Sequence, residues 1–343
     1  VERPDHQQRE IKLKLHDVHK SYNNLHALRP TSLEVRTGEF VTLLGPSGSG
    51  KTTLLSIIAG INFPDGGMVE IGGVDATYLP SRKRDIGVVF QNYALFPHLS
   101  VFENIAFPLR MRGMAATEID IKVRRVLETV NLATVGDRLP SELSGGQQQR
   151  VAFGRCVVYE PSIILMDEPL GALDKRLRDS MQEEIKRLHR QLGTTIVYIT
   201  HDQTEALTLS DRICLMNQGA IVQSGAPRAM YFAPESRFAA DFFGIANIFA
   251  YRQTDTDGTV EIADLQVTGK PGRDVAANGQ MMVRPQCFAF ADGPDDRPSV
   301  PGRIASLEQY GLYSQYGVIL PSGKAVTVQR LTDSASSSWA VGD

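Results

Sequence analysis

The sequence predicts an α/β domain built on a mostly parallel sheet, followed by a smaller all-β domain, and three observations carry that expectation. Strand-like and helix-like stretches alternate from about residue 11 to about residue 240, the pattern of parallel strands covered by helices. A short apolar run ends in a glycine-rich turn near residue 45 and leads straight into a helical stretch, as a phosphate-binding strand–loop–helix unit does. After about Gly244 the texture changes to short β-prone runs separated by Gly, Pro, Asp and Ser, which reads as a small barrel or sandwich. The domains are accordingly placed at 11–244 and 245–343.

In chain order, Glu39 to Leu44 is the first buried-strand candidate and Thr52 to Ala59 the first helix. Ile86 to Phe90, Ile163 to Met166 and Thr195 to Ile199 are further buried strands. Between the last two lies the clearest helix, Lys175 to Leu192. Its apolar residues Leu177, Met181, Ile185, Leu188 and Leu192 recur at spacings of three and four, and Gly193 ends it. Arg212 to Met216 and Ala220 to Gln223, joined by Asn217-Gln218-Gly219, read as a β-hairpin. In the tail the β-prone runs are Thr259 to Ile262, Gln280 to Val283, Gly302 to Leu307, Tyr316 to Leu320 and Ala325 to Val328.

With 343 residues, 42% hydrophobic and 22% charged, the chain has the composition of a globular protein able to bury a full core. A net charge of −3 offers no general attraction to nucleic acid, and none is expected as a partner. Cys156, Cys214 and Cys287 lie far apart without metal-ligand spacing, and read as three buried small hydrophobes in a reducing compartment. No apolar run approaches the roughly 20 residues that cross a bilayer, and the polar start holds no signal-peptide core. Any membrane role is expected to come through a partner. The sequence opens on Val1 and not on methionine, so Val1 is expected not to be the native start.

Gly45-Pro46-Ser47-Gly48-Ser49-Gly50-Lys51-Thr52 fits G-x-x-x-x-G-K-[ST] and sits between a buried strand and a helix. Glycines there let the backbone wrap closely around phosphates and aim its N–H groups inward. The following helix, with Thr53 in its first turn, adds a positive dipole end. Lys51 is expected on the β- and γ-phosphates and Thr52 on Mg²⁺. Such a loop indicates a nucleoside triphosphate without choosing among the enzymes that use one.

Leu143-Ser144-Gly145-Gly146-Gln147 discriminates further. A serine and two glycines at the head of a predicted helix form a second anion site, about 100 residues from the first. Taken alone, Asp167 reads as either a helix cap or a metal-associated acid, and the phosphate loop in the same chain favours the metal role. Glu168 alone reads as a surface carboxylate, His201 as a structural histidine and Tyr22 as a core aromatic.

Here the sequence resembles the ATP-binding cassette (ABC) ATPases, whose signature is LSGGQ, over residues 11 to about 245. The resemblance implies a P-loop ABC ATPase domain with a helical signature subdomain. It sets Ser162 to Glu168 as the metal-associated strand end Asp167 followed by the water-activating Glu168. It sets Leu170-Gly171-Ala172-Leu173-Asp174 against a second subunit. It makes Gln91 the lid-loop glutamine, a metal contact, makes His201 a γ-phosphate contact, and stacks Tyr22 on adenine. Lys51, Gln91, Glu168 and His201 are the implied catalytic group, with ATP and Mg²⁺ as cofactors. Ser144, Gly145, Gly146 and Gln147 are implied to close over the ATP of a second copy, so that two chains face head to tail.

Further phrasings, Asn92 to Val101, Met166 to Asp174 and Tyr198 to Ala206, resemble bacterial importer ATPases for sugars, sulfate, iron and polyamines. In that group the all-β tail is a regulatory domain of oligonucleotide-binding-like barrels, which Met281 to Phe290 resembles. The implied partners are a transmembrane permease, gripped near Tyr93 to Leu99, and indirectly an external solute-binding protein. The implied location is the cytoplasmic face of the cell membrane. Lys175 to Leu192 and Phe238 to Phe249 look most like importers of polyamines or related amines; another solute, or a soluble non-transport ABC ATPase, is the alternative. Two departures stand out. Gly154 replaces a usual alanine in the signature helix, and Trp339 to Asp343 resembles the approach to a final barrel strand, so the chain is expected to be truncated.

Overall fold

The structure, a computed structural model, describes residues 9–23, 25–171, 173–254, 259–270, 276–291, 299–332 and 339–343. Ala172, within the loop Leu170 to Asp174, lies outside the described residues. The chain divides into two compact units, one ending at Met230 and one running from Tyr231 to Asp343.

The first unit holds, in order, β1 (Ile11–Tyr22), β2 (Leu25–Arg36), β3 (Phe40–Leu44), α1 (Lys51–Ile58), β4 (Gly66–Ile71), β5 (Val74–Asp75) and β6 (Ile86–Val89). There follow α2 (Val101–Met111), α3 (Ala116–Thr129), α4 (Gly145–Val157), β7 (Ile163–Asp167), α5 (Lys175–Leu192), β8 (Thr195–Thr200), α6 (Gln203–Leu209), β9 (Arg212–Asn217) and β10 (Ala220–Gly225). A six-stranded sheet runs β10-β9-β3-β8-β7-β6. Only β10 is antiparallel to its neighbour.

Side chains on a strand alternate between faces, and both faces of this sheet are buried. Ile164, Met166, Ile196 and Tyr198 join one core with residues of α2 to α5, whereas Ile163, Leu165, Val197 and Ile199 join a second with α1, β1, β2 and β4. Burial on both sides is why β7 and β8 read as unbroken apolar runs.

The far wall of the second core is a sheet absent from the sequence expectation, antiparallel in the order β2-β1-β4-β5. Leu13, Leu15 and Val18 are its buried positions on β1. Their spacing changes from two to three because a register shift lies between Leu15 and Val18, with Asp17 at φ 49°. A bulge of this kind breaks the period-two signal that marks a strand.

α5 matches its expected ends: Asp174 caps it by accepting from the Leu177 N–H, and Gly193 closes it at φ 64°. Gly154 in α4 has a packing reason. A Cβ there would stand 3.1 Å from Ile105 Cδ1 on α2 and 3.2 Å from Val126 Cγ1 on α3. The lost helix propensity is exchanged for close approach of three helices.

α7 (Pro227–Phe232) crosses the unit boundary, and the second unit continues with α8 (Arg237–Phe242) before its strands, so it begins ahead of Gly244. β11 (Asn247–Gln253), β12 (Val260–Ile262), β13 (Val267–Gly269) and β14 (Asn278–Val283) pair antiparallel in the order β13-β12-β11-β14. β15 (Arg303–Gln309), β16 (Tyr313–Ile319) and β17 (Ala325–Leu331) form a second antiparallel sheet. Both share one core around Phe249, Ile262, Ile304, Val318 and Val326.

Arg284, 1% exposed, donates to the carbonyls of Tyr231, Ala240, Gly244 and Ile245, pinning the entry segment to the end of β14. Gly342 and Asp343 hydrogen-bond to Ile304 on β15. Cys156 and Cys214 are buried, but Cys287 is exposed at the end of the short turn Pro285–Cys287, against the expectation of three buried thiols. Among the described residues no helix is long and apolar enough to cross a membrane.

The packing at Gly154 gives a stability test. Gly154→Ala should be near neutral, since about 1 kcal/mol of gained propensity offsets a contact a few tenths of an ångström too short. Gly154→Leu should lose about 1–3 kcal/mol by overpacking. Urea unfolding should show this as a lower midpoint at unchanged slope; equal midpoints for the two variants would refute the packing role.

Candidate active site

Four motif loops leave four neighbouring strands at the same edge of the parallel sheet. In the order β3-β8-β7-β6, these ends carry Gly45 to Thr52, then His201, then Asp167 with Glu168, then Gln91. Loops at the carboxyl ends of parallel strands meet in a crevice, so residues far apart in sequence become neighbours.

Ser47 to Thr53 and Glu168 line a cleft of about 720 Å³, together with Leu25, His26, Ala27, Arg29 and Gln218. α1 begins on Gly50 with no side-chain cap and no acid in its first turn. Its first N–H groups therefore have no partner of their own inside the helix, which suits an anion. Gly50 has φ 97°, and a Cβ there would lie 2.7 Å from the Ala27 carbonyl, so only glycine fits. The turn between β9 and β10 backs the loop, with Gly219 donating to the Ser49 carbonyl at 3.2 Å.

The Lys51 ammonium is buried and donates to Gly45 O at 2.8 Å, Pro46 O at 2.9 Å and Ser49 Oγ at 3.3 Å. Burial lowers its pKa from the ordinary lysine value, opposed by the carboxylates of Glu168 and Asp167. Burial likewise raises the Asp167 pKa, Glu168 adds to the rise, and Lys51 opposes it. One cation and two acids thus share a partly dry space.

Glu168 sits in the left-handed region at φ 45°, with its N–H on the Ile199 carbonyl at 3.0 Å. Such a backbone costs about 1–3 kcal/mol in a non-glycine residue and persists where the surroundings hold it. Glu168 Oε2 lies 3.1 Å from His201 Nδ1; with the carboxylate ionised, Nδ1 carries the proton and donates. Gln91 Nε2 and Glu168 Oε2 both border Gly171, at 3.6 and 3.8 Å from where its Cβ would be.

Tyr22 is 44% exposed and is not a core residue. It ends β1 opposite Leu25, one of the cleft residues, and Asn62 Nδ2 reaches its hydroxyl at 3.4 Å. Thr52, exposed, and Asp167 supply the hard oxygen donors that Mg²⁺ prefers, and Gln91 approaches Glu168 across Gly171. That donor set fits a cation shared with phosphate oxygens.

The second motif heads a different helix, α4. None of Ser144, Gly145, Gly146 and Gln147 lines the cleft, and neither do Tyr22, Gln91, Asp167 and His201. Ser144 caps α4 by accepting from Gln147 N–H at 3.4 Å, while its own N–H donates to Gln147 Oε1 at 3.0 Å. A Cβ on Gly146 would lie 3.0 Å from Leu177 Cδ1, so this glycine also serves the contact of α4 with α5.

Sequence reasoning missed Arg155 on α4. It donates to the Tyr93 and Ala94 carbonyls, both at 2.8 Å, and its guanidinium lies 5.4 Å from the Phe96 ring. Tyr93 and Ala94 stand at φ 59° and 46°, so one side chain ties the second-motif helix to the loop after Gln91. No spacing rule links residues 61 and 62 apart, and only the fold reveals the pair.

Residues 28–171 match the ABC transporter family. A spermidine/putrescine import ATP-binding protein of Pseudomonas aeruginosa is 43% identical over 321 residues, 91% of this chain and 88% of that protein. A Fe(3+) ions import ATP-binding protein of Agrobacterium fabrum is 43% identical over 305 residues, 88% of this chain and 86% of that protein. Among solved structures, a Clostridium perfringens protein that is part of an ABC transporter complex aligns with a TM-score of 0.60 at 28% identity, covering 64% of this chain and 90% of that one. An ATP-binding cassette solved as a dimer in a post-hydrolysis state with ADP and Pi aligns with a TM-score of 0.55 at 34% identity, covering 63% and 99%.

Proposed function

The chain belongs to the ABC transporter family as the ATP-hydrolysing subunit of an importer, and from that premise we propose how its residues divide the work. The gathering of Lys51, Asp167, Glu168 and His201 at one sheet edge is the observation that carries the reading. The phosphates of ATP enter at the head of α1, received by backbone N–H groups of Ser47 to Thr53. Lys51 turns from the loop carbonyls to the β- and γ-phosphate oxygens, and Tyr22 stacks on adenine.

Thr52, Asp167 and Gln91 would hold Mg²⁺, which when bound would neutralise developing charge on the phosphates. Glu168 orients the attacking water by accepting its hydrogen, and His201 keeps that carboxylate in place while its Nε2 edge faces the γ-phosphate. The water oxygen bonds to the γ-phosphorus as the bond to the bridging oxygen breaks, leaving ADP and phosphate. Ser144 to Gln147 act on the ATP of a second copy; the related ATP-binding cassette solved as a dimer with ADP and Pi supports that reading.

The dimer, on the cytoplasmic face of the cell membrane, drives a separate permease gripped near Tyr93 to Leu99, which an external solute-binding protein supplies. For the cargo we take a polyamine or related amine. The ferric-ion import relative, equally 43% identical, supplies the second reading.

Glu168→Gln should leave ATP binding intact and nearly abolish turnover, whereas Lys51→Ala should weaken ATP binding itself. Charge-assisted hydrogen bonds of about 1.5–3 kcal/mol correspond to a loss of roughly ten- to hundredfold. Turnover and binding of a fluorescent ATP analogue separate the two, and wild-type turnover in Glu168→Gln would sink the assignment.

Cargo is read from uptake. Cells lacking this chain should lose accumulation of labelled spermidine and keep that of ferric iron; the reverse pattern selects the second reading.

A further inference from the structure

Arg178, one turn into α5, reaches three segments around Glu168 and His201 with a single guanidinium. One terminal nitrogen donates to the Leu173 carbonyl at 3.0 Å, in the loop that leaves Glu168 and enters α5. The other stands 3.4 Å from Asp202 Oδ2, on the residue after His201. Nε makes no hydrogen bond and lies 3.9 Å from Glu205 Oε1.

Glu205 is 2% exposed, and its second oxygen accepts from the hydroxyls of Tyr198 and Thr200, both at 2.7 Å. The Thr200 hydroxyl in turn accepts from the Asp202 N–H at 3.0 Å, and Asp202 caps α6 by accepting from the Glu205 N–H at 3.0 Å. His201 is thus flanked by Thr200 and Asp202, each bonded into the same cluster.

A purely structural ion pair would seat the arginine fork squarely on the buried carboxylate. Here Nε remains without a hydrogen bond, and the fork is spread instead between the two loops that flank the Glu168–His201 contact. We propose that Arg178 is a positioning residue: it fixes His201 against Glu168 by tying Leu173 to Asp202 and Glu205, and sets the hydrolysis rate without touching the nucleotide. This rests on the reading of Glu168 and His201 as the hydrolytic pair.

Removing Arg178 alone leaves the Glu205 carboxylate without its cation, which endangers folding. The test therefore uses the full chain as the double variant Arg178→Met/Glu205→Gln, beside Arg178→Lys and Glu168→Gln. Misplacing reacting groups by about an ångström costs on the order of a hundredfold. The double variant should keep the wild-type melting temperature and ATP KM while kcat falls roughly ten- to hundredfold. Arg178→Lys keeps the charge but cannot span three partners, so its kcat should fall by about fivefold or more at unchanged KM.

Wild-type kcat in either variant, with Glu168→Gln inactive, overturns the positioning role and leaves Arg178 as a counter-ion for Glu205. Wild-type turnover in Glu168→Gln overturns instead the hydrolytic pair on which the proposal stands.

Discussion

Burying one ammonium at the head of α1 constrains most of what surrounds it. Lys51 is only 5% exposed, and a cation so placed needs acceptors on every side. The loop provides them by folding back so that the Gly45 and Pro46 carbonyls face inward, which in turn demands glycine at Gly50 against the Ala27 carbonyl. The remaining compensation comes from Asp167 and Glu168, and these reach Lys51 because β3, β8 and β7 are adjacent and parallel. A sheet with another strand order would leave the same motifs apart.

The two helix starts are built differently. α1 has no side-chain cap, so its N–H groups remain for an anion. α4 carries a reciprocal cap between Ser144 and Gln147, which orders the turn and leaves the serine O–H free to donate elsewhere. α4 is then held from several directions: by α2 and α3 at Gly154, by α5 at Gly146, and by Arg155 on the loop after Gln91. The loop after Gln91 and Ser144 are thus joined through one packed helix.

Much of this was legible in the sequence where the signal is local. The capped ends of α5 and the glycine-lysine loop follow from contacts within a few residues, and β7 and β8 announce themselves as unbroken apolar runs because both of their faces are buried. The sheet formed by β2, β1, β4 and β5 was not legible, because the register shift between Leu15 and Val18 spoils the alternation. Gly154 read as a weakness because propensity counts only the helix itself, whereas Ile105 and Val126 decide its value. Arg178 and Glu205 were not singled out in the sequence, because the ion pairs that bring Arg178 to Asp202 and Glu205 span more than 20 residues and follow only from the packing of α5 beside α6.

In the proposed function, Ser144 serves the phosphate cradle of another copy. The most direct measurement places cysteines at Ser47 and Ser144 of a Glu168→Gln chain, with the exposed Cys287 replaced by serine, and follows disulfide formation with and without ATP. A covalent dimer, bridged between residue 47 of one chain and residue 144 of the other, should form with ATP and not in its absence. A bridge within a single chain, or no dimer at saturating ATP, would contradict it.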